Sequence, residues 1–165
     1  MSTHEEYCNT YVTVLANIRD YDNKCNYSQL SSQIYLYSLN QYQTQMLNNI
    51  NRSSNQLSLK NETNIFSILF NLSILTLNYL EIIGNKSKDE IINDNYILFQ
   101  NKNRDYGCSF KDFELIGILV RLNDKINRII SLLDIERSTS CFTNEKIEDT
   151  LNDLYNYCII GLMYK

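Results

Sequence analysis

Three groups of side chains after residue 100 have the types and spacing of residues that could handle phosphate. The first is Lys102-Asn103-Arg104-Asp105-Tyr106-Gly107. Lys102 or Arg104 could meet a phosphate there, Asp105 a cation, and Gly107 a turn that needs positive φ. An ordinary polar connection between helices would look the same. The second is Arg121, Lys125 and Arg128, at i, i+4 and i+7, which project along one stripe of a helix. Such a ladder could hold phosphate oxygens, with the arginines contacting two oxygens each. It could equally pair with acids on a neighbouring helix or form a solvated face. The third is Glu145, Asp149 and Asp153 at i, i+4 and i+8, continued by Asn156 and flanked by Glu148. Like charges one turn apart repel by a few tenths of a kcal/mol, so this stripe calls for a cation, either Mg²⁺ or the Arg/Lys ladder. Mg²⁺ takes oxygen ligands and commonly bridges to substrate phosphates. The helix macrodipole would account for Glu145 and Glu148 near an N-terminus, but not for Asp153.

Helices must position all three groups. Among 165 residues there is no proline and there are four glycines, too few for the turns of a sheet protein of this size. The fold class is therefore all-α, a bundle of five to six helices in a single domain spanning 1–165. Apolar periodicity places a first helix over about Glu5–Arg19, with Tyr7, Tyr11, Val14, Leu15 and Ile18 on one face. A loop at Asp20–Asn26 precedes a second helix over about Ser28–Ile50, whose stripe reads Leu30, Ile34, Leu36/Tyr37, Tyr42 and Met46. Asn51–Ser58 is a polar linker. The third helix covers about 62–83, capped by Asn61 or Thr63 and closed by Gly84 as a C′ glycine. A short fourth helix runs over about Lys88–Gln100, followed by a loop at Asn101–Cys108. Ser109 caps a fifth helix that reaches about Asp134, with Ile116, Leu119, Leu122, Ile126, Ile129 and Leu133 facing the core. Thr143 or Asn144 caps a sixth, whose stripe is Ile147, Leu151, Leu154, Cys158, Ile159 and Leu162.

Composition narrows the function classes. The net charge of −4 argues against a general nucleic-acid binder, which would carry a basic excess. Abundant Asn, Ile, Tyr and Lys with scarce Ala point to codon bias in an AT-rich genome, such as that of a large DNA virus, a phage or a microbe, and this bias lowers the information carried by any single Asn. Five cysteines are widely spaced and the one histidine, His4, lies near the terminus, so no zinc site is expected. Without a secretory signal, thiols in a reducing cytoplasm are the natural reading, the host cytoplasm if the source is viral. Ile65–Ile83 is the most apolar stretch, yet polar residues break it up, so a buried helix is expected rather than a membrane span.

The motifs in order, Lys102-Asn103 with Asp105-Tyr106-Gly107, then Arg121 with Asp124-Lys125 and Arg128, then Glu145 with Glu148-Asp149-Thr150, Asp153-Leu154 and Tyr157, resemble a phage and bacterial family, nucleotide modification associated domain 1. The resemblance covers about Tyr96–Lys165, and residues 1–90 are N-terminal helices of unassigned role. It implies a part in nucleotide metabolism or modification. The acidic helix also resembles the metal helix of MazG-type all-α nucleotide pyrophosphohydrolases, although this chain has no clear EExxE partner helix. In the enzymatic reading the protein is a Mg²⁺-dependent pyrophosphohydrolase. Lys125 and Glu148 then carry the catalysis, Glu145, Asp149 and Asp153 hold Mg²⁺, and Lys102, Asp105, Tyr106, Gly107, Arg121, Lys125 and Arg128 bind substrate. The alternatives are a protein that binds a nucleotide without turnover, as a sensor or a viral sponge that sequesters a signal, and a helical interaction protein. The partner is a nucleotide or a molecule derived from one, with a homo-oligomer expected and no membrane.

Overall fold

The computed structural model describes residues 3–25, 27, 29–53, 56–105, 114–138 and 144–165. Among them it shows six helices and one small hairpin: α1 (Thr3–Asp22), α2 (Ser32–Asn48), β1 (Ile50–Ser53), β2 (Gln56–Leu59), α3 (Glu62–Ile83), α4 (Lys88–Asp105), α5 (Leu115–Ser138) and α6 (Asn144–Leu162). The all-α expectation holds.

Helix α3 is the centre. Its apolar residues run all round, as they must in a helix enclosed on most sides, and Ile65, Leu69, Leu72 and Ile74 are completely buried. It is long and apolar enough to cross a membrane, yet 67% of its most apolar window is buried within the protein. Its broadest contact is with α6, followed by that of α5 with α6. Gly161 makes the α3–α6 approach close: a Cβ there would stand 2.7 Å from Leu69 Cδ1. The expected α6 stripe, Ile147, Leu151, Leu154, Cys158, Ile159 and Leu162, is buried in full. On α5, Leu119, Leu122, Ile126, Ile129 and Leu133 are buried as expected, and Ile116 is only partly covered.

Several boundaries differ from the sequence reading, each for a visible reason. α1 continues past Arg19 because the Asp22 carboxylate, in its last turn, accepts from Asn78 Nδ2 at 2.8 Å and pairs with Lys88 Nζ at 3.0 Å. α2 starts at Ser32, capped by Ser31 accepting from the Ile34 amide. Its buried stripe is Tyr35, Leu36, Leu39 and Met46, whereas Ile34 and Tyr37 are 48% and 67% exposed. Tyr35 takes the inward position because its hydroxyl meets Thr76 Oγ1 at 3.0 Å while its ring stacks on Tyr79. The expected linker contains the hairpin, in which Ile50 pairs with Leu59 and both pack against the core. Asn61 is the cap of α3, accepting from the Asn64 amide. Gly84 has φ −100°, so it is no left-handed C′ glycine. Space explains it better, since a Cβ there would come 3.0 Å from Leu80 O and 3.1 Å from Glu148 Oε1. α4 runs to Asp105 instead of ending at Gln100, because Phe99 and Asn103 extend its buried face at four-residue steps from Ile91 and Asn95. The proposed cap Ser109 lies outside the described residues, and α5 ends four residues later than expected.

Candidate functional site

The α5–α6 contact brings the cationic and acidic stripes together at one point. Burial of Leu122, Ile126 and Ile129 on one side of α5 turns Arg121, Lys125 and Arg128 outward. Burial of Leu151, Leu154 and Cys158 sets Asp153 and Tyr157 at the flank of α6. Lys125 Nζ lies 3.0 Å from Asp153 Oδ2, with the two side chains 30% and 37% exposed. A pair that wet contributes about 0–1 kcal/mol, so it orients Lys125 without locking it. Arg121, Asp124, Lys125, Arg128 and Tyr157 line an open groove of about 370 Å³. Three cations and a phenol around one acid is a set that suits an anion carrying a flat ring. Beside this groove, Gln43 of α2 donates to Asn123 Oδ1 and Asn127 Oδ1, tying α2 to the same helix.

The acids line a different groove. Glu148, Asp149 and Asp153 share a second groove, of about 290 Å³, with Lys86, Asp94, Asn95 and Asn152 between α4 and α6. Lys86 pairs with Asp94 at 2.6 Å, and that hydrogen bond and charge, with Glu148 adding to them, raise the ammonium above its ordinary value. Among the described residues no group of three or more His, Cys, Asp or Glu side chains is gathered to hold a metal. Of the Mg²⁺ set read from the sequence, Asp149 and Asp153 line this second groove, Asp153 also pairs with Lys125, and the side chain of Glu145 lies outside the described residues. Of the expected catalytic pair, Lys125 faces the cationic groove and Glu148 lines the other. Lys102 is exposed on the last turn of α4 and lines neither groove. Tyr106, Gly107 and the side chain of Asp105 lie outside the described residues.

Under the second groove runs an amide ladder. Asn95 Nδ2 donates to Ile91 O at 2.9 Å and to Asn152 Oδ1 at 2.7 Å, and its Oδ1 accepts from Asn156 Nδ2 at 2.8 Å. Asn152 Nδ2 donates to Glu148 O, and Tyr11 of α1 donates its hydroxyl to Asn156 Oδ1. Burial, with smaller contributions from Tyr155 and Tyr96, pushes the Tyr11 phenol well above its ordinary value and keeps it a neutral donor. The ladder ties α1, α4 and α6 together and escaped the sequence reading. A signal existed: Asn95 interrupts the apolar face set by Ile91, Ile92 and Phe99, a position where a polar side chain needs partners.

With this geometry in view, the relation to known proteins is specific to one part of the chain. Residues 102–164 match the family model of nucleotide modification associated domain 1. The match takes in the end of α4, α5 and α6, and so both flanks of the Lys125–Asp153 contact. No curated protein and no solved structure matches the chain, so the MazG likeness gains no support. The matched segment contributes every residue that lines the cationic groove, and α1–α3 complete the core around it.

Proposed function

We propose that the α5–α6 groove binds the phosphates of a nucleotide or nucleotide-derived molecule. The observation that carries this is the convergence of Arg121, Lys125, Arg128 and Tyr157 on one open groove, within the segment that matches a nucleotide-associated family. Arg121 and Arg128 are two turns apart and suit bidentate contacts to separate phosphate oxygens. Lys125 adds a point charge once phosphate competes it away from Asp153, a weak pair to open. Tyr157 offers a ring to the base or sugar.

Binding without turnover is the reading this geometry favours, because Glu148 lies in the other groove and, among the described residues, no three acids are gathered as a metal cage. A second reading rests on Asp149 and Asp153 lying one turn apart on that groove. Mg²⁺ needs only one or two carboxylates when substrate phosphates supply further oxygens, so a nucleotide that draws Lys125 away from Asp153 would leave a carboxylate for the ion. Thermal-shift screening of linear and cyclic nucleotides, with and without Mg²⁺, followed by chromatography of the recovered nucleotide, separates the two. A rise in melting temperature with intact nucleotide supports binding alone, and pyrophosphate release that depends on Mg²⁺ supports hydrolysis. No shift with any nucleotide sinks both.

A further inference from the structure

The first turns of α1 and the end of α4 align a thiol, an imidazole and a carboxamide, at a place the nucleotide groove does not use. His4, the single histidine, precedes Cys8 by one helical turn, and Cys8 Sγ lies 3.6 Å from His4 Nε2. The other ring nitrogen, Nδ1, stands 3.1 Å from Asn103 Nδ2 at the end of α4. Cys8 is 6% exposed and Asn103 5%. Asn103 Oδ1 is buried with no hydrogen-bond partner among the described residues. Rotating that amide by half a turn presents Oδ1 to the ring, which is what an imidazolium requires, since both of its nitrogens donate. A carboxamide oxygen so enclosed is costly to keep without a partner.

We propose that Cys8 is a nucleophilic thiol for small hydroperoxides, with His4 as its base and Asn103 as the residue that positions the ring. The Sγ proton passes to His4 Nε2, and the imidazolium donates from Nδ1 to Asn103 Oδ1. The thiolate attacks one peroxide oxygen: an S–O bond forms, the O–O bond breaks, and sulfur is oxidised to sulfenic acid while the peroxide is reduced. The departing oxyanion takes the proton back from His4 and leaves as water or an alcohol. With Cys8 6% exposed, the substrate must be as small as hydrogen peroxide. Tyr96 faces Cys8 from α4, Tyr155 reaches Tyr11 from α6, and burial is the main cause that raises all three phenols and so favours their neutral forms. On α1 itself Glu5 is exposed and Tyr7 is half-buried.

Two other thiols serve as internal controls. Cys158 is fully buried, has no imidazole available to it, and is pushed up by that burial, while Cys25 is half-buried. The test treats the native full-length protein with hydrogen peroxide at pH 6.5 in the presence of dimedone and quantifies adducts by peptide mass spectrometry. The expected result is at least tenfold faster labelling of Cys8 than of Cys25 or Cys158, lost in His4→Gln. In the wild-type protein the pH profile of iodoacetamide alkylation should have its Cys8 midpoint below the ordinary thiol value of about 8.5. Labelling of Cys8 no faster than of Cys158, an unchanged rate in folded His4→Gln, or a midpoint at or above that value would each overturn the proposal. The wild-type profile decides the matter even if the variant fails to fold.

Discussion

Helix α6 presents two flanks that use polar side chains in opposite ways. Towards α5 it offers Asp153 and Tyr157 to long, partly solvated cations across an open groove. Towards α4 and α1 it offers Asn152 and Asn156 to Asn95 and Tyr11, whose polar groups are buried or half-buried and saturate one another. The difference lies in solvent. A wet charged pair contributes little to stability and can be exchanged for a ligand. A buried amide loses a full desolvation penalty when its partner is removed, so it fixes helix positions and exchanges with nothing. The first flank is suited to recognition, the second to holding the frame that recognition needs.

The largest test of that contrast is Asn95→Ala. It removes the centre of the ladder and strands Asn152 and Asn156, for an expected loss of about 2 kcal/mol, or a melting temperature lower by about 4–8 °C. Calorimetry checks it, and a change under 1 °C would mean that water replaces the amide without loss. On the other flank, Arg128→Ala and Arg121→Ala should each weaken nucleotide binding about 10–100-fold, by loss of a charge-assisted contact. Titration calorimetry measures the affinity, and the melting temperature of the Arg128→Ala apo-protein should stay within about 1 °C of wild type. If these arginines instead lower stability as Asn95→Ala does, the two flanks are not different in kind. Smaller again is Asp153→Asn, which leaves Lys125 without its carboxylate. Stability should change by under about 1 kcal/mol, and nucleotide affinity should rise because a competing anion is gone. A fall in affinity that appears only with Mg²⁺ present would favour the metal-dependent reading. Raising the salt concentration tenfold, the mildest perturbation, should weaken nucleotide binding through screening of the exposed cations and leave the ladder untouched. Unfolding and binding followed across one salt series report both.

The contrast also shows why some of the site was legible and some was not. Arg121, Lys125 and Arg128 announced themselves because charges at four- and three-residue steps form a stripe whatever surrounds the helix. Asn95, Asn152 and Asn156 did not, because asparagine is common throughout this chain and its spacing carries no sign. Lys86 and Asp94, which line the second groove, sit across a turn and a helix from any motif. His4 read as a terminal residue, and only the packing of α4 beside α1 adds Asn103 to Cys8 as a second partner for its ring.

What the sequence determined by itself follows from short-range periodicity. It set the all-α class, the enclosed helix α3, the core stripes of α5 and α6, and the outward charge stripes, because an apolar face repeating every 3.6 residues fixes which side of a helix turns inward. The tertiary structure alone decided which helix meets which flank. It gave Asp153 to Lys125 and kept Glu148 for another groove, rotated α2 so that Tyr35 and not Ile34 points inward, and carried α4 on to Asp105. Those outcomes depend on contacts between residues far apart in the chain, where packing and the need to satisfy buried polar groups outweigh local preference.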